Sequence, residues 1–467
     1  MGRRKVKILF VDLNGIGIKI IFHGAVLEKR KKPCLKVKES CIFLMLKIKK
    51  IHGGSMNSIL DDLSSSEKAE FQRQYDILSS FVVEVTPEDE FKKMLKHSIQ
   101  TKTPLRVKCG IDPTRSDVHL GHLVPYKKMR QFQDLGHTGV VVIGDYTAQI
   151  GDPSGKTTTR AALAQKDVQE NARKYMDQLY SVLDKSKTEV RFQSEWFEKI
   201  TLADILTWAM QTSANKLLTH DTFKKRLEDN LPLALHELFY PMLQGVDSVF
   251  IKADVELGGS DQRFNVLMGR DYQRHQKMRP QVAILLPLVL GTCGKEKMSK
   301  SLDNYIALHM SAKEQFGKVM SIPDDLMPDY YRYFSSLSIG EIESIVGAIK
   351  SDAIHPNLAK KDLAENIVSF FHGAEEGKLA REEFEKVFRD KGLPTDIVEL
   401  KEAVGERLVD VLAVLGMSKS EIRRLMTQNA VSFYEGDKIT DANKNVEAAD
   451  VGKIIKIGKR KFVKIVS

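Results

Sequence analysis

The sequence predicts an α/β protein: a parallel-sheet domain, then a helical domain, then a small α+β domain. Three observations carry this. Two short apolar runs, residues 105–110 (LRVKCG) and 138–144 (TGVVVIG), bracket a stretch of helical spacing over 120–135. A strand, helix and strand joined by short loops form a βαβ unit, hence a parallel sheet with its site at the strand C-termini. After about Leu308 such runs stop, and residues 312–404 are charged and helical in period. Residues 405–467 change again, to two short helices followed by brief strands.

The composition sets outer limits. A chain of 467 residues fits about two to four domains. It is 42% hydrophobic and 29% charged, the balance of a globular protein. No apolar run reaches the roughly 18 residues of a membrane span; the nearest, 16–26, is broken by Lys19, His23 and Gly24, so no membrane partner is expected. Four cysteines, at 34, 41, 109 and 293, are too few for a disulfide framework and lack CxxC spacing. No protein-bound metal is expected, and a reducing, cytoplasmic setting is.

Residues 1–55 hold 14 basic against 3 acidic side chains, a net of +11, while the other 412 residues hold 58 against 59. The overall charge of +10 therefore says nothing about the partners of the body. This first segment is rich in Lys and Ile, without clear helical or alternating period. Basic residues recur throughout and no Ala-x-Ala-like site follows an apolar core, which excludes a good secretory signal. A transit peptide favours Arg and Ser, whereas Lys dominates here. One reading is a basic RNA-binding arm. The other is sequence upstream of the natural start. His52-Gly53-Gly54-Ser55-Met56 can be encoded by GGA-GGA a few bases before ATG, like a ribosome-binding site translated in frame. Translation is then expected to begin at Met56, which the intact mass of the native protein checks.

Residues 56–104 are expected to be a helical N-terminal segment and 105–311 the parallel-sheet domain. Within the latter, helices are expected over 167–184, 201–211 and 262–275, and strands near 188–193, 249–255 and 281–290. The helical domain, 312–404, carries caps such as Ser338 with Glu341. The last domain, 405–467, has helices over 407–415 and 418–428 and strands ending in 453–466. It carries 12 basic against 8 acidic residues.

Chemistry concentrates in a few segments. The first βα turn reads Gly110-Ile111-Asp112-Pro113-Thr114, and His119-Leu120-Gly121-His122 opens the helix. A helix N-terminus offers free N–H groups and a positive dipole end, suited to a phosphate. Two imidazoles three residues apart can face that phosphate, and Gly121 removes a side chain where a base could approach the backbone. Beyond the last apolar run, Lys295-Glu296-Lys297-Met298-Ser299-Lys300-Ser301 combines lysines with small residues. Lys297 and Lys300 are point charges that can neutralise a departing pyrophosphate. Tyr240, Gln244 and Asp247 stand at i, i+4 and i+7, one face of a helix otherwise strongly apolar, so these polar groups need partners. Glu256-Leu257-Gly258-Gly259-Ser260-Asp261-Gln262 reads as strand, glycine turn and helix start, fit for a ribose or carboxylate. Gly151-Asp152-Pro153-Ser154-Gly155-Lys156 supplies a carboxylate, an anion-friendly turn and a lysine, without the spacing of a Walker P-loop.

His-x-Gly-His after the first strand and Lys-Met-Ser-Lys-Ser after the last resemble the paired signatures of class I aminoacyl-tRNA synthetases. With the two further segments, the chain from about Met56 onward resembles the bacterial-type tyrosyl-tRNA synthetases, most densely over 105–306. The resemblance implies a Rossmann-like catalytic domain that joins tyrosine to ATP, supplied with Mg²⁺, and passes tyrosyl to the 3′ end of tRNA(Tyr). It also implies a homodimer. Asp152 and Gln262 would hold the α-amino end, with Tyr240 and Gln244 beside them, and Asp247 would accept the phenolic hydroxyl. Thr114, His119 and His122 would meet the ATP phosphates. Asp112 and Gly121 also fall to ATP, Gly259 and Asp261 to its ribose, and Lys297 and Lys300 to pyrophosphate. Lys156 and Arg160 match mobile-loop positions that reach pyrophosphate as well. The last domain resembles a small RNA-binding module shared with a small-subunit ribosomal protein, in which Lys419, Arg423 and Arg424 would contact tRNA phosphates.

Two positions depart from many relatives. Lys108 stands where a tyrosine often shares the substrate hydroxyl, and Glu256 stands where some relatives have glutamine. Lys108 is expected to point away from the pocket or to salt-bridge a carboxylate there. Two alternatives stand beside this reading. A tryptophanyl-tRNA synthetase shares both ATP signatures but has no use for Asp247. A catalytically dead RNA-binding paralogue predicts decay of the ATP motifs, yet His119, His122, Lys297 and Lys300 all stand.

Overall fold

The computed structural model describes residues 7–13, 16–22, 59–114, 117–154, 165–388, 397–401, 404–434, 436–458 and 461–466. The chain divides into two units, Met1–Asp62 and Leu63–Ser467. In the first, β1 (Lys7–Leu13) and β2 (Ile16–Phe22) pair antiparallel, from Lys7 opposite Phe22 to Leu13 opposite Ile16. This hairpin was not expected from periodicity; the β-branched isoleucines of both strands favour extended backbone. Met56 and its neighbours lie outside the described residues.

The second unit is built on a six-stranded sheet: β3 (Glu84–Thr86), β4 (Arg106–Ile111), β5 (Thr138–Ile143), β6 (Thr188–Phe192), β7 (Val255–Gly259) and β8 (Val282–Leu286), in the order β3-β8-β7-β4-β5-β6. All pairings are parallel except β3 with β8. The expected βαβ unit is present: β4, the helix Leu120–Asp134 and β5. The expected helix over 262–275 is Arg263–His275. Those over 167–184 and 201–211 are shorter, Gln165–Leu179 and Leu202–Ala209.

Three expectations need correction. The strand placed near 249–255 is β7, Val255–Gly259, because the helix Tyr240–Phe250 continues through the apolar residues Val249 and Phe250. A short apolar run fits a buried helix end as well as a strand. The segment 56–104 is not wholly helical: helices Ser65–Ser79 and Glu88–Thr101 flank β3, which draws its stability from pairing with β8. The region 312–404 is not helical to its end either. After Pro356–His372 and Ala374–Phe388, β9 (Val398–Leu400) pairs parallel with β12 (Lys461–Ile465), completing a sheet with β10 (Val431–Phe433) and β11 (Ile454–Ile457). That sheet and the helices Leu408–Leu412 and Lys419–Thr427 share a core of Leu412, Ile422, Met426, Val431, Ile455 and Val463.

The expected cap of the helix Ile339–Lys350 forms, with Ser338 and Glu341 satisfying each other's backbone N–H. On the sheet face that carries Val140 and Val142, the helices Tyr240–Phe250 and Arg263–His275 approach closely through two glycines. A Cβ on Gly245 would lie 2.8 Å from Tyr272 Cδ2 and 3.2 Å from the Met268 carbonyl carbon. The Tyr272 ring is fully buried and has no room to give. Gly245→Ala is therefore expected to force the two helices apart and cost about 1–3 kcal/mol, read as a lower midpoint in chemical denaturation.

Candidate active site

The C-terminal ends of β4, β5 and β7 open into one cleft of about 360 Å³. Asp112, Thr114, His119, Gly121 and His122 reach it from the first βα turn and its helix, and Asp152 from the segment after β5. Tyr240, Gln244 and Asp247 line it from their helix; Gly259, Asp261 and Gln262 follow β7, and Lys297 comes from the loop after β8. Thirteen positions scattered over the sequence thus meet at one place.

The three cleft-lining polar residues of the helix Tyr240–Phe250 each find a different partner. The Tyr240 hydroxyl donates to Asp112 Oδ2 at 2.9 Å, and Thr147 Oγ1 donates to Asp112 Oδ1 at 2.7 Å. Gly144 leaves the space for this, since a Cβ there would lie 2.2 Å from Asp112 Oδ1. Burial, then the charge of Asp112, holds the Tyr240 phenol well above its ordinary pKa, so it stays a donor. Asp247 accepts from Gln193 Nε2 at 2.8 Å and from Trp196 Nε1 at 3.2 Å. Gln193 is itself fixed, its Oε1 accepting from the Thr147 N–H at 2.9 Å. Burial pushes the Asp247 carboxyl up to about 7, against the opposing charge of Lys108.

Gln244 donates through Nε2 to Glu256 Oε1 at 3.1 Å. Glu256 pairs with Lys108 at 3.0 Å, and both side chains are buried. Lys108 does salt-bridge a carboxylate, but neither it nor Glu256 lines the cleft, so the pair lies behind the pocket wall rather than in the pocket. Beside this, Gln262 Nε2 donates to Asp152 Oδ2 at 2.9 Å while Gln262 Oε1 accepts from Asn265 at 2.9 Å.

The His119-Leu120-Gly121-His122 segment and the loop that carries Met298 meet directly. The Gly121 N–H points at Met298 Sδ, 3.2 Å away, and a Cβ on Gly121 would lie 3.4 Å from Met298 Cβ and 3.2 Å from His119 Nδ1. The rings of His119 and His122 stack at 3.6 Å. Burial, then Lys300 and Lys297, takes His119 down to about 3; burial, then His119, holds His122 well below its ordinary value. Both imidazoles are neutral at neutral pH and act as hydrogen-bonding groups. Among the described residues, His119 Nδ1 is buried without a hydrogen-bond partner. Lys297 pairs with Asp261 at 2.7 Å at the rim.

Not every expected residue joins the cleft. The Lys300 ammonium sits 3.4 Å from the Asp117 carboxylate and donates to the Asp117 carbonyl, off the cleft wall. Lys156 and Arg160 lie outside the described residues. Lys419, Arg423 and Arg424 belong to the exposed face of the helix Lys419–Thr427, where Lys419 pairs with Asp410 at 2.8 Å. Conversely, Gln193, Thr147 and Tyr175 line the cleft and Trp196 bonds Asp247, and none of them carries a motif. For Gln193 and Trp196 the only signal is that a buried carboxylate such as Asp247 needs donors. Among the described residues no group of three or more His, Cys, Asp or Glu is arranged to hold a metal ion.

The raised carboxyl of Asp247 has a thermodynamic signature. The folded chain binds this proton more tightly than an unfolded aspartate near 3.8, so stability falls as pH rises through the window up to about 7. Asp247→Asn has nothing to ionise there. The melting temperature of Asp247→Asn minus that of the wild type should rise between about pH 4 and about pH 8. A flat difference would mean that the carboxylate carries no burial penalty.

The fold and cleft have counterparts. The model of the family described as tRNA synthetases class I (W and Y) matches residues 100–389. The chain is 43% identical over 399 residues to the tyrosine–tRNA ligase of Moorella thermoacetica, covering 85% of this chain and 96% of that one. It is 45% identical over 399 residues to that of Geobacter metallireducens, covering 84% and 98%. Among solved structures it resembles a C-terminally truncated mitochondrial tyrosyl-tRNA synthetase of Coccidioides posadasii, with TM-score 0.55 and 18% identity over 74% of this chain and 99% of that one. A tyrosyl-tRNA synthetase of Archaeoglobus fulgidus complexed with L-tyrosine gives TM-score 0.53 and 20% identity, over 67% and 99%. At such identities the structural likeness bears on the fold alone, and it is the Rossmann-like α/β fold expected from the sequence. On the family match and the identity to its members across most of both chains, this chain belongs to the class I tRNA synthetases of the tryptophan and tyrosine type.

Proposed function

We propose that the chain is a tyrosine–tRNA ligase whose tyrosine and ATP sites are the two ends of this cleft. The observation that carries the substrate choice is Asp247: a buried carboxylate on the cleft wall, already holding two donors and with lone pairs to spare for a phenolic hydroxyl. A bare phenyl ring would leave that capacity unused. Asp152 and Gln262, with Tyr240 and Gln244 beside them, take the α-amino end. Thr114, His119, His122, Asp112 and Gly121 take ATP, with Gly259 and Asp261 at its ribose. Lys297 and Lys300 meet the pyrophosphate, Lys300 after leaving Asp117, and Lys156 and Arg160 reach it as well. ATP enters as its Mg²⁺ complex.

The tyrosine carboxylate attacks the α-phosphorus. A P–O bond forms to the amino acid, the P–O bond to pyrophosphate breaks, and pyrophosphate leaves with the electron pair. The 3′-terminal hydroxyl of tRNA(Tyr) then attacks the adenylate carbonyl and AMP departs. No side-chain nucleophile is needed; alignment and charge stabilisation suffice. Lys419, Arg423 and Arg424 contact tRNA phosphates from the last module.

A homodimer is the assembly we assign. Exposed apolar side chains accumulate along one stretch, with Leu202 75%, Met210 78% and Leu235 73% exposed, a liability unless covered. The free Cys109 and Cys293 fit a reducing, cytoplasmic setting. No helix among the described residues is long and apolar enough to cross a membrane.

ATP–pyrophosphate exchange with each of the twenty amino acids tests the reading: tyrosine should support it, and preference for tryptophan or phenylalanine would refute it. Lys297→Ala should slow adenylate formation roughly a hundredfold while tyrosine affinity stays within about twofold, because its charge partner appears only as pyrophosphate departs. A collapse of tyrosine binding would make the loop structural instead. A chain ended at residue 388, which removes β9 together with the module it completes, should keep exchange and lose tRNA charging. Equal loss of both would show that the module supports the catalytic fold.

A further inference from the structure

We propose that Glu256, held by Lys108, is a positioning residue that decides which end of the Gln244 amide faces the ammonium of the substrate. The inference rests on the tyrosine reading, which sets Gln244 beside the α-amino end.

Lys108 on β4 and Glu256 on β7 are register partners on neighbouring strands, so their side chains leave the sheet together. They are 0% and 1% exposed. An ammonium has three N–H donors and no acceptor. Here it meets Glu256 Oε1 at 3.0 Å, Ser248 Oγ at 2.8 Å and the backbone oxygen of Gln244 at 2.8 Å. Lys108 thus grips the very residue whose side chain is in question. Glu256 is equally occupied: Oε1 also accepts from Gln244 Nε2 at 3.1 Å, and Oε2 accepts from Ser248 Oγ at 3.1 Å and from Gln281 Nε2.

A carboxylate can only accept. Gln244 can therefore meet Glu256 through its nitrogen end alone, and its oxygen is the polar atom left for the cleft it lines. A substrate ammonium needs that oxygen. An amide at 256 could donate or accept, so the Gln244 amide could turn either way and present N–H to a cation. Lys108 supplies the counter-charge that allows an ionised Glu256 at full burial. The pair is neutral as a unit and specific only in what it lets Gln244 do.

Glu256→Gln, Lys108→Met and the double variant separate positioning from mere packing. Each is compared with the wild type in melting temperature and in calorimetric binding of tyrosine and of 3-(4-hydroxyphenyl)propionate, which lacks only the amine. Either single change leaves a buried group unmatched and should lower the melting temperature; the double change removes both charges and should recover much of it. Tyrosine binding should nevertheless weaken about tenfold or more in Glu256→Gln and in the double variant. The desamino analogue should bind these variants as it binds the wild type. Equal weakening of both ligands, or full tyrosine affinity in the double variant, would overturn the inference and leave the tyrosine reading standing. Failure of the wild type itself to bind tyrosine would overturn the tyrosine reading, and this inference with it.

Discussion

The cleft depends on one constraint: the helix Tyr240–Phe250 must carry three cleft-lining polar side chains, Tyr240, Gln244 and Asp247, through an apolar core. Met242, Leu243 and Val246 of that helix are buried with Trp196, Phe197 and Tyr272. A polar group left unpaired in such surroundings costs about 1–3 kcal/mol. Each of the three is met from a different strand end: Tyr240 by Asp112 after β4, Gln244 by Glu256 on β7, Asp247 by Gln193 after β6. One helix is thereby tied to three strands. The sheet order β7-β4-β5-β6 fixes the spacing of the anchors, and the helix fixes what each anchored group presents to a ligand.

The cleft carries both signs of charge: the carboxylates of Asp112, Asp152, Asp247 and Asp261 line it together with Lys297 and the stacked histidines. Two charged imidazoles at ring contact would repel each other and the lysines beside them. Burial resolves this by keeping both neutral, which leaves positive charge beside them to the lysines. Lys297 and Lys300 in turn rest on Asp261 and Asp117, carboxylates that a polyphosphate can replace as partner. The Lys297 side chain is 56% exposed, and a pair open to water on one side is worth little, whereas the Lys300 side chain is only 11% exposed. On the proposed reading, exchanging Asp261 for a polyphosphate therefore costs Lys297 little.

How much of this the sequence disclosed follows from the range of the interactions. Periodicity gave β4, β5 and the helix between them because each buries a complete face, and the motif residues of the cleft stood out because unusual types sat at strand ends. β3 and β9 were invisible: each has three residues and exists only through pairing with β8 or β12, partners far away in sequence. The apolar residues Val249 and Phe250 suited strand and helix equally, and tertiary packing decided. Gln193 and Trp196 could not be named, since neither carries a motif and their role comes from Asp247, more than fifty positions along the chain. The salt bridge of Lys108 was one of two open choices; that its ammonium also holds the Gln244 backbone was not legible at all.

A reaction that needs no protein nucleophile places its demand on geometry, and the bonding pattern of the cleft answers that demand. Asp112, Asp152, Gln244, Asp247 and Gln262 each have a protein partner before any ligand arrives, and several partners are themselves held, as Gln193 is by the Thr147 N–H. Orientation paid for on folding need not be paid again on binding. His119 is the informative exception: it is buried, neutral, and has a ring nitrogen without a partner among the described residues. A group so placed gains its missing hydrogen bond only when a ligand group enters, and the N-terminus of the helix Leu120–Asp134 favours an anionic ligand there. On the proposed reading, the tyrosine end of the cleft is thus satisfied in advance, while the phosphate end is left to be completed by the ligand that reacts there.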